Sequence, residues 1–138
     1  MQEFLAALQS KFLDSPPYVS VGGRVSYRKS TTSEYPRIVY SFISTNPDNV
    51  FARKGENTLM QFDIFATDST QDSIDTIADT ISSQLRTLLD DWRFTIAGVG
   101  TFEFTWANTL VLSEDVLLDD GSNGLVHIIV EYEVDYQA

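Results

Sequence analysis

The chain contains no cysteine. This excludes a disulfide framework, a thiolate metal site and a thiol nucleophile, and it leaves the redox compartment open. There is a single histidine, His127, too few for the usual zinc ligand sets. No apolar run reaches the length of a membrane span, so no membrane contact is expected. The opening residues, MQEFLAALQSKFLDS, lack a basic start followed by an apolar run. They are not read as a signal peptide, and the protein is expected to stay where it is made. Cations are also scarce, and their placement is lopsided. Residues 1–60 hold seven Lys/Arg and five Asp/Glu, a balance of +2, whereas residues 61–138 hold two and fifteen, a balance of −13. So acidic a half disfavours general binding to nucleic acid, because phosphate contacts need clustered cations.

What is present is enough for a core. The chain has 138 residues, 43% of them hydrophobic and 12% aromatic, which predicts one folded domain spanning 1–138. Ser69–Asp91 carries Ile74, Ile77, Ala78, Ile81, Leu85, Leu88 and Leu89. These positions step by three and four, so they predict a helical stripe, and Asp72, Asp75, Asp79, Ser82, Ser83 and Arg86 fill the other face. Ser69 or Thr70 can cap its start. Such a helix is roughly 33 Å long. A shorter helix is predicted over residues 1–13, with Phe4, Leu5, Leu8 and Phe12 on one side, ended by Pro16-Pro17.

Strand patterns fill much of the remainder. Val19–Val21 and Val25–Tyr27, separated by Gly22-Gly23, read as a short strand pair. Arg37–Ile43 and Asn57–Thr67 are predicted strands, the second placing Met60, Phe62, Ile64 and Ala66 on one face. Trp92–Ile96 alternates, and so does Thr101–Ser113, where Phe102, Phe104, Trp106, Leu110 and Leu112 are in phase and Asn108 is the exception. Leu125–Tyr136 is the cleanest strand. The predicted fold class is α+β: a largely antiparallel β-sheet with one long α-helix packed on one face and a short N-terminal helix.

Little of this points to chemistry. His127 lies at strand spacing from Glu131 and Glu133. A base or metal ligand is conceivable there, but a surface strand histidine is the plainer reading. Asp119–Gly124 offers oxygen ligands without the spacing or closing glutamate of an EF-hand. Gly22-Gly23 lacks the pattern of a phosphate cradle. Asp90-Asp91 is unfavourable at a helix C-terminus and has no functional account. No cofactor, metal or catalytic residue is assigned, and the protein is not expected to be an enzyme. The residues left over are a long excursion at 44–57, with Val50, Phe51, Arg53 and Lys54, and the apolar triplet Val116, Leu117 and Leu118 within an acidic loop at 114–124. Loops with apolar and charged residues beyond a core suit contacts with neighbouring subunits.

The order of segments resembles a known family. Gly-Gly-Arg-Val within Val21–Val25 is followed by Tyr-Pro-Arg-Ile-Val-Tyr at Tyr35–Tyr40 and by Met-Gln-Phe-Asp-Ile-Phe-Ala at Met60–Ala66. A helix containing Ile77-Ala78-Asp79 then follows. These stretches are similar to the tail-completion proteins of long-tailed bacteriophages, also called tail terminators or tail-to-head joining proteins. The resemblance spans about Val21–Leu89. It implies a homo-oligomeric ring, a hexamer, that caps the tail tube, ends its growth and meets the head connector, with DNA only passing through the lumen. The implied partners are further copies of the chain, the tail tube protein and a head-connector or neck protein. The implied location is the virion tail or neck, after assembly in the host cytoplasm. Arg24, Arg28, Lys29, Arg53 and Lys54 would then sit at protein interfaces. Two other functions remain open on the sequence: a head-completion or neck adaptor ring, and a small-ligand-binding α+β domain or enzyme using His127 and Glu131.

Overall fold

A computed structural model describes residues 2–29, 34–43, 57–67, 74–117 and 123–137. Two helices, α1 (Gln2–Phe12) and α2 (Pro16–Ser20), precede β1 (Val25–Tyr27), β2 (Arg37–Ile43) and β3 (Asn57–Thr67). Then come α3 (Ile74–Leu89), β4 (Arg93–Ile96), β5 (Gly100–Leu117) and β6 (Asn123–Gln137). The strands form one sheet in the order β1-β2-β3-β6-β5-β4. β1 runs parallel to β2, and every other pairing is antiparallel.

This overturns the α+β expectation. The protein is mostly β: a curled, mixed, six-stranded sheet of half-barrel form with only short helices, not one long helix packed on a sheet. Among the described residues the helix read as Ser69–Asp91 is Ile74–Leu89, 16 residues or about 24 Å; its expected start and cap at residues 69–73 lie outside the described residues. β5 alone has 18 residues, about 60 Å of extended chain, so α3 can back only part of it. Periodicity showed which residues could share a helical stripe. It did not show how much of the sheet that stripe would cover, and the cover is divided.

α1 is part of the core rather than an accessory. Phe4, Leu8 and Phe12 are fully buried. The Phe4 ring lies 5.7 Å from Phe42, 5.0 Å from Phe102 and 5.9 Å from Phe104, so it touches β2 and β5 across the one buried face of the sheet. Phe12 packs on Tyr40 and Phe62. α3 contributes Ala78, Ile81, Leu85 and Leu89 and lies against β3 and β6. On the sheet, Met60, Phe62, Ile64, Ala66, Val126, Ile128, Val130, Tyr132 and Val134 complete the same cluster.

Three local expectations also change. Pro16-Pro17, read as a stop, begins α2 with proline in its first turn, where the missing N–H costs nothing and the fixed φ suits the helix. The strand pair across Gly22-Gly23 is therefore absent among the described residues: Val19 is helical, and only Val25–Tyr27 is strand. The hairpin of β5 and β6 is longer than predicted, with Leu117 paired to Asn123. Val116 and Leu117 thus stand on a strand, not in a loop.

Candidate assembly surface

β5 is built in two halves joined by a bulge. Phe104 pairs with Val134 and Trp106 with Tyr132, but Asn108 pairs with Glu131, so Ala107 is an extra residue. An extra residue reverses the side-chain phase downstream. Val111 pairs with the buried Ile128, whereas Leu110 pairs with Ile129 and Leu112 with His127. Leu110 and Leu112 therefore lie on the sheet face opposite Phe102 and Phe104, contrary to the single apolar stripe read from the sequence. Val111 lies on the helix side, beyond helical cover. All are open: relative exposure is 40% for Trp106, 48% for Leu110, 56% for Val111 and 38% for Leu112. A strand apolar on both faces and exposed on both is unusual on a monomer surface, and such patches mark interaction sites. Sequence reasoning missed them as exposed residues. The available signal was Asn108, the break in the alternation.

A polar network fixes the bulge to the core. The Tyr132 hydroxyl donates to Asp90 Oδ1 at 2.5 Å, and Arg86 donates to Asp90 Oδ2 at 2.8 Å. The Arg86 guanidinium lies 4.1 Å from the centre of the Trp106 ring, and Trp106 Nε1 donates to Thr109 Oγ1 at 2.9 Å. Burial, then the Asp90 carboxylate, holds the Tyr132 hydroxyl protonated well above its ordinary range. The hydrogen bond to Asp90 is also the main reason that the Arg86 pKa is raised. Asp90 thus has a structural task at the end of α3, joining that helix to β6 and to the bulge. Asp91 takes a positive φ of 58° just past the helix end.

The other edge of the sheet holds the basic residues near β1. Arg24 is committed within the chain: its guanidinium donates to the carbonyls of Pro36 and Tyr35 at 2.9 and 3.2 Å and lies 3.5 Å from Glu34. Arg28 and Lys29 are exposed, with Arg28 5.2 Å from the Tyr27 ring centre. A cleft of about 380 Å³ lies alongside, lined by Phe12, Leu13, Tyr18, Gly23, Val25 and Tyr40 among others. Val50, Phe51, Arg53, Lys54 and Leu118 lie outside the described residues.

His127 does not meet the acids suggested by spacing. Its Nε2 is 2.7 Å from Asp63 Oδ1, and its ring stacks on Phe65 at 4.3 Å. Glu131 instead stands opposite Gln61 and Asn108. Arg37 lies over both Tyr35 and Phe65, so Tyr35, Arg37, Phe65 and His127 form a stacked row across three strands. Among the described residues no group of three His, Asp or Glu could hold a metal ion.

The family model for tail completion protein gp17 matches residues 7–136, and the chain belongs to that family. It is a structural protein of a phage-type tail, associated with the virion and assembled with other virion proteins. Among solved structures, a chain from the virion of a native gene transfer agent particle aligns with a TM-score of 0.56 at 7% identity, covering 94% of this chain and 92% of that one. A second aligns with a TM-score of 0.51 at 13% identity, covering 100% and 98%. At these identities the likeness is one of fold. The comparison with curated proteins found no match.

Proposed function

We propose that the protein is a tail terminator: a ring, hexameric, that caps the end of the tail tube, stops its growth and joins the tail to the head connector. Family membership supports the tail role. The observation that carries the ring is the outer half of β5, where Leu110, Val111 and Leu112 are left exposed among the described residues, with Trp106 beside them only partly covered by Arg86. A surface of this kind is satisfied by a neighbour. An acidic lumen would suit passage of DNA, because it repels phosphate.

Native mass spectrometry and negative-stain microscopy of the purified protein test this reading, with six-membered rings at high concentration as the expected result. Pull-downs against tail-tube subunits and against portal complex then separate a terminator from a neck adaptor. A strictly monomeric protein that binds neither would refute both. The excursion at 44–57 is proposed to clasp a neighbour. Arg53→Glu with Lys54→Glu should weaken the ring and leave the monomer's melting temperature unchanged, and intact rings would remove these residues from the interface.

A further inference from the structure

The register of the sheet places its two open edges level with each other. Val25 of β1 is in line with Ile38, Ile64, Ile128 and finally Val111 of β5. The next rows run from Ser26 to Leu110 and from Tyr27 to Thr109 through the same four ladders. β1 ends the sheet on one side; there the Val25 N–H donates to the Gly23 carbonyl and the Tyr27 carbonyl accepts from the Lys29 N–H, so the Val25 carbonyl and the Tyr27 N–H are the groups left to meet a further strand. On the other side β4 pairs only with Gly100–Glu103, which leaves the upper part of β5 without a strand on its outer side among the described residues. An open edge of unpaired backbone groups is a template for another strand.

We infer that the open edge of β5 in one copy pairs antiparallel with β1 of the next copy, so that the sheet continues from subunit to subunit. This rests on the ring reading above and specifies its contact. Three observations support a second copy of this chain as the occupant. The strand directions agree: β1 and β2 run one way, β3 the other, β6 as β1, and β5 opposite, so a neighbour's β5 beside β1 is antiparallel. The charges are complementary. Residues 94–138 hold no Lys or Arg and eight Asp/Glu, while Arg28 and Lys29 stand exposed at the end of β1. The shapes also match. Cross-strand partners share a face, so a neighbour's Val111, level with Val25, projects to the side where Val25 lines the cleft. The two edges differ, so the contact is head-to-tail. Because they lie level, it can repeat with little axial rise and close into a ring instead of growing as a filament.

Cysteine cross-linking in the full chain tests the contact, since the native sequence supplies no background thiol. Ser26→Cys is combined in turn with Asn108→Cys, Leu110→Cys and Leu112→Cys. These three lie on one face of β5 and cover the level register and shifts of two residues either way. One pair should give, on oxidation, a ladder of linked multimers ending at the ring size, and no single-cysteine control should do so. Val111→Lys, at an exposed position, should raise the concentration needed for half-assembly at least tenfold while leaving the monomer folded. If wild-type rings form but no pair links them and Val111→Lys assembles normally, the contact is overturned and the ring stands. If the wild type never forms rings, the ring reading and this contact fall together.

Discussion

Phe4→Ala separates a core role for α1 from the accessory role that its short length invites. The Phe4 side chain is 1% exposed. Its ring centre is 5.0 Å from Phe102, 5.7 Å from Phe42 and 5.9 Å from both Phe94 and Phe104. Truncation removes the transfer energy of a buried ring and leaves a cavity among rigid aromatic neighbours on three strands. The usual cost is about 3–5 kcal/mol. Domains of this size have about 5–15 kcal/mol in total, so the loss is a large share of the whole. Unfolding entropy near 2.1 cal/mol/K per residue gives roughly 290 cal/mol/K for this chain, which converts the loss to a fall in Tm of about 10–17 °C. The assay is urea and thermal unfolding by circular dichroism, at a concentration where size-exclusion chromatography shows monomer. Leu13→Ala, at a position 60% exposed just past the same helix, is the control and should stay within about 0.5 kcal/mol. If Phe4→Ala costs under about 1 kcal/mol, α1 does not hold the sheet together and the division of cover between α1 and α3 is wrong.

Tyr132→Phe should cost about 1.5–3 kcal/mol, because it removes a part-buried hydrogen bond to the charged Asp90 carboxylate; urea unfolding at pH 7 measures it. The same residue sets an alkaline limit. The Tyr132 and Tyr40 hydroxyls both keep their protons above the ordinary value of 10.0, so the unfolded chain loses protons first. Their contribution to stability is full below about pH 10 and falls above it, by at most about 1.4 kcal/mol per pH unit for each group. Unfolding midpoints between pH 9 and 11.5 should show that decline, and Tyr132→Phe should flatten it. Gly100→Ala should lower stability by about 1–3 kcal/mol: φ is 153°, and a Cβ there would lie 2.3 Å from the Gln137 carbonyl oxygen. A melting temperature equal to that of the wild type would show that the start of β5 can shift to admit a methyl group.

Much of the strand content was legible because its signal is local. Met60, Phe62, Ile64 and Ala66 alternate in β3, and Val126 to Tyr136 alternate in β6; all are buried, as the two-residue period demands. The helical stripe of α3 was legible for the same reason. The proportions were not. Whether a helix covers a sheet depends on strand lengths and on how many helices share the face, and neither is encoded in any one segment. The parallel pairing of β1 with β2 joins residues across a connection, so alternation says nothing about it. Pro16-Pro17 was ambiguous in principle, since proline both ends one helix and starts another. The basic residues carried a charge signal but no partner: Arg24 turned inward to the Tyr35 and Pro36 carbonyls, while Arg28 and Lys29 stayed outside.

The bulge at Ala107 gives β5 two tasks that one continuous strand could not perform. Below it, Phe102 and Phe104 face the core and are covered by α1. Had the phase continued, Asn108 would face the helix side, with Leu110 and Leu112 beside Val130, Ile128 and Val126, the buried row of β6. One extra residue instead turns Leu110 and Leu112 to the outer face, beside Ile129 and His127. The Tyr132–Asp90–Arg86–Trp106 network secures the strand at the point of that reversal. The helix side is itself uncovered at this level, since Val111 beside Ile128 is 56% exposed, so the switch leaves apolar side chains open on both faces of a strand that the described helices do not reach. Such an arrangement is stable in service when a neighbour covers the strand. On the proposed contact, the upper half of β5, rather than the helix that first stands out in the sequence, is the part of the chain on which assembly turns.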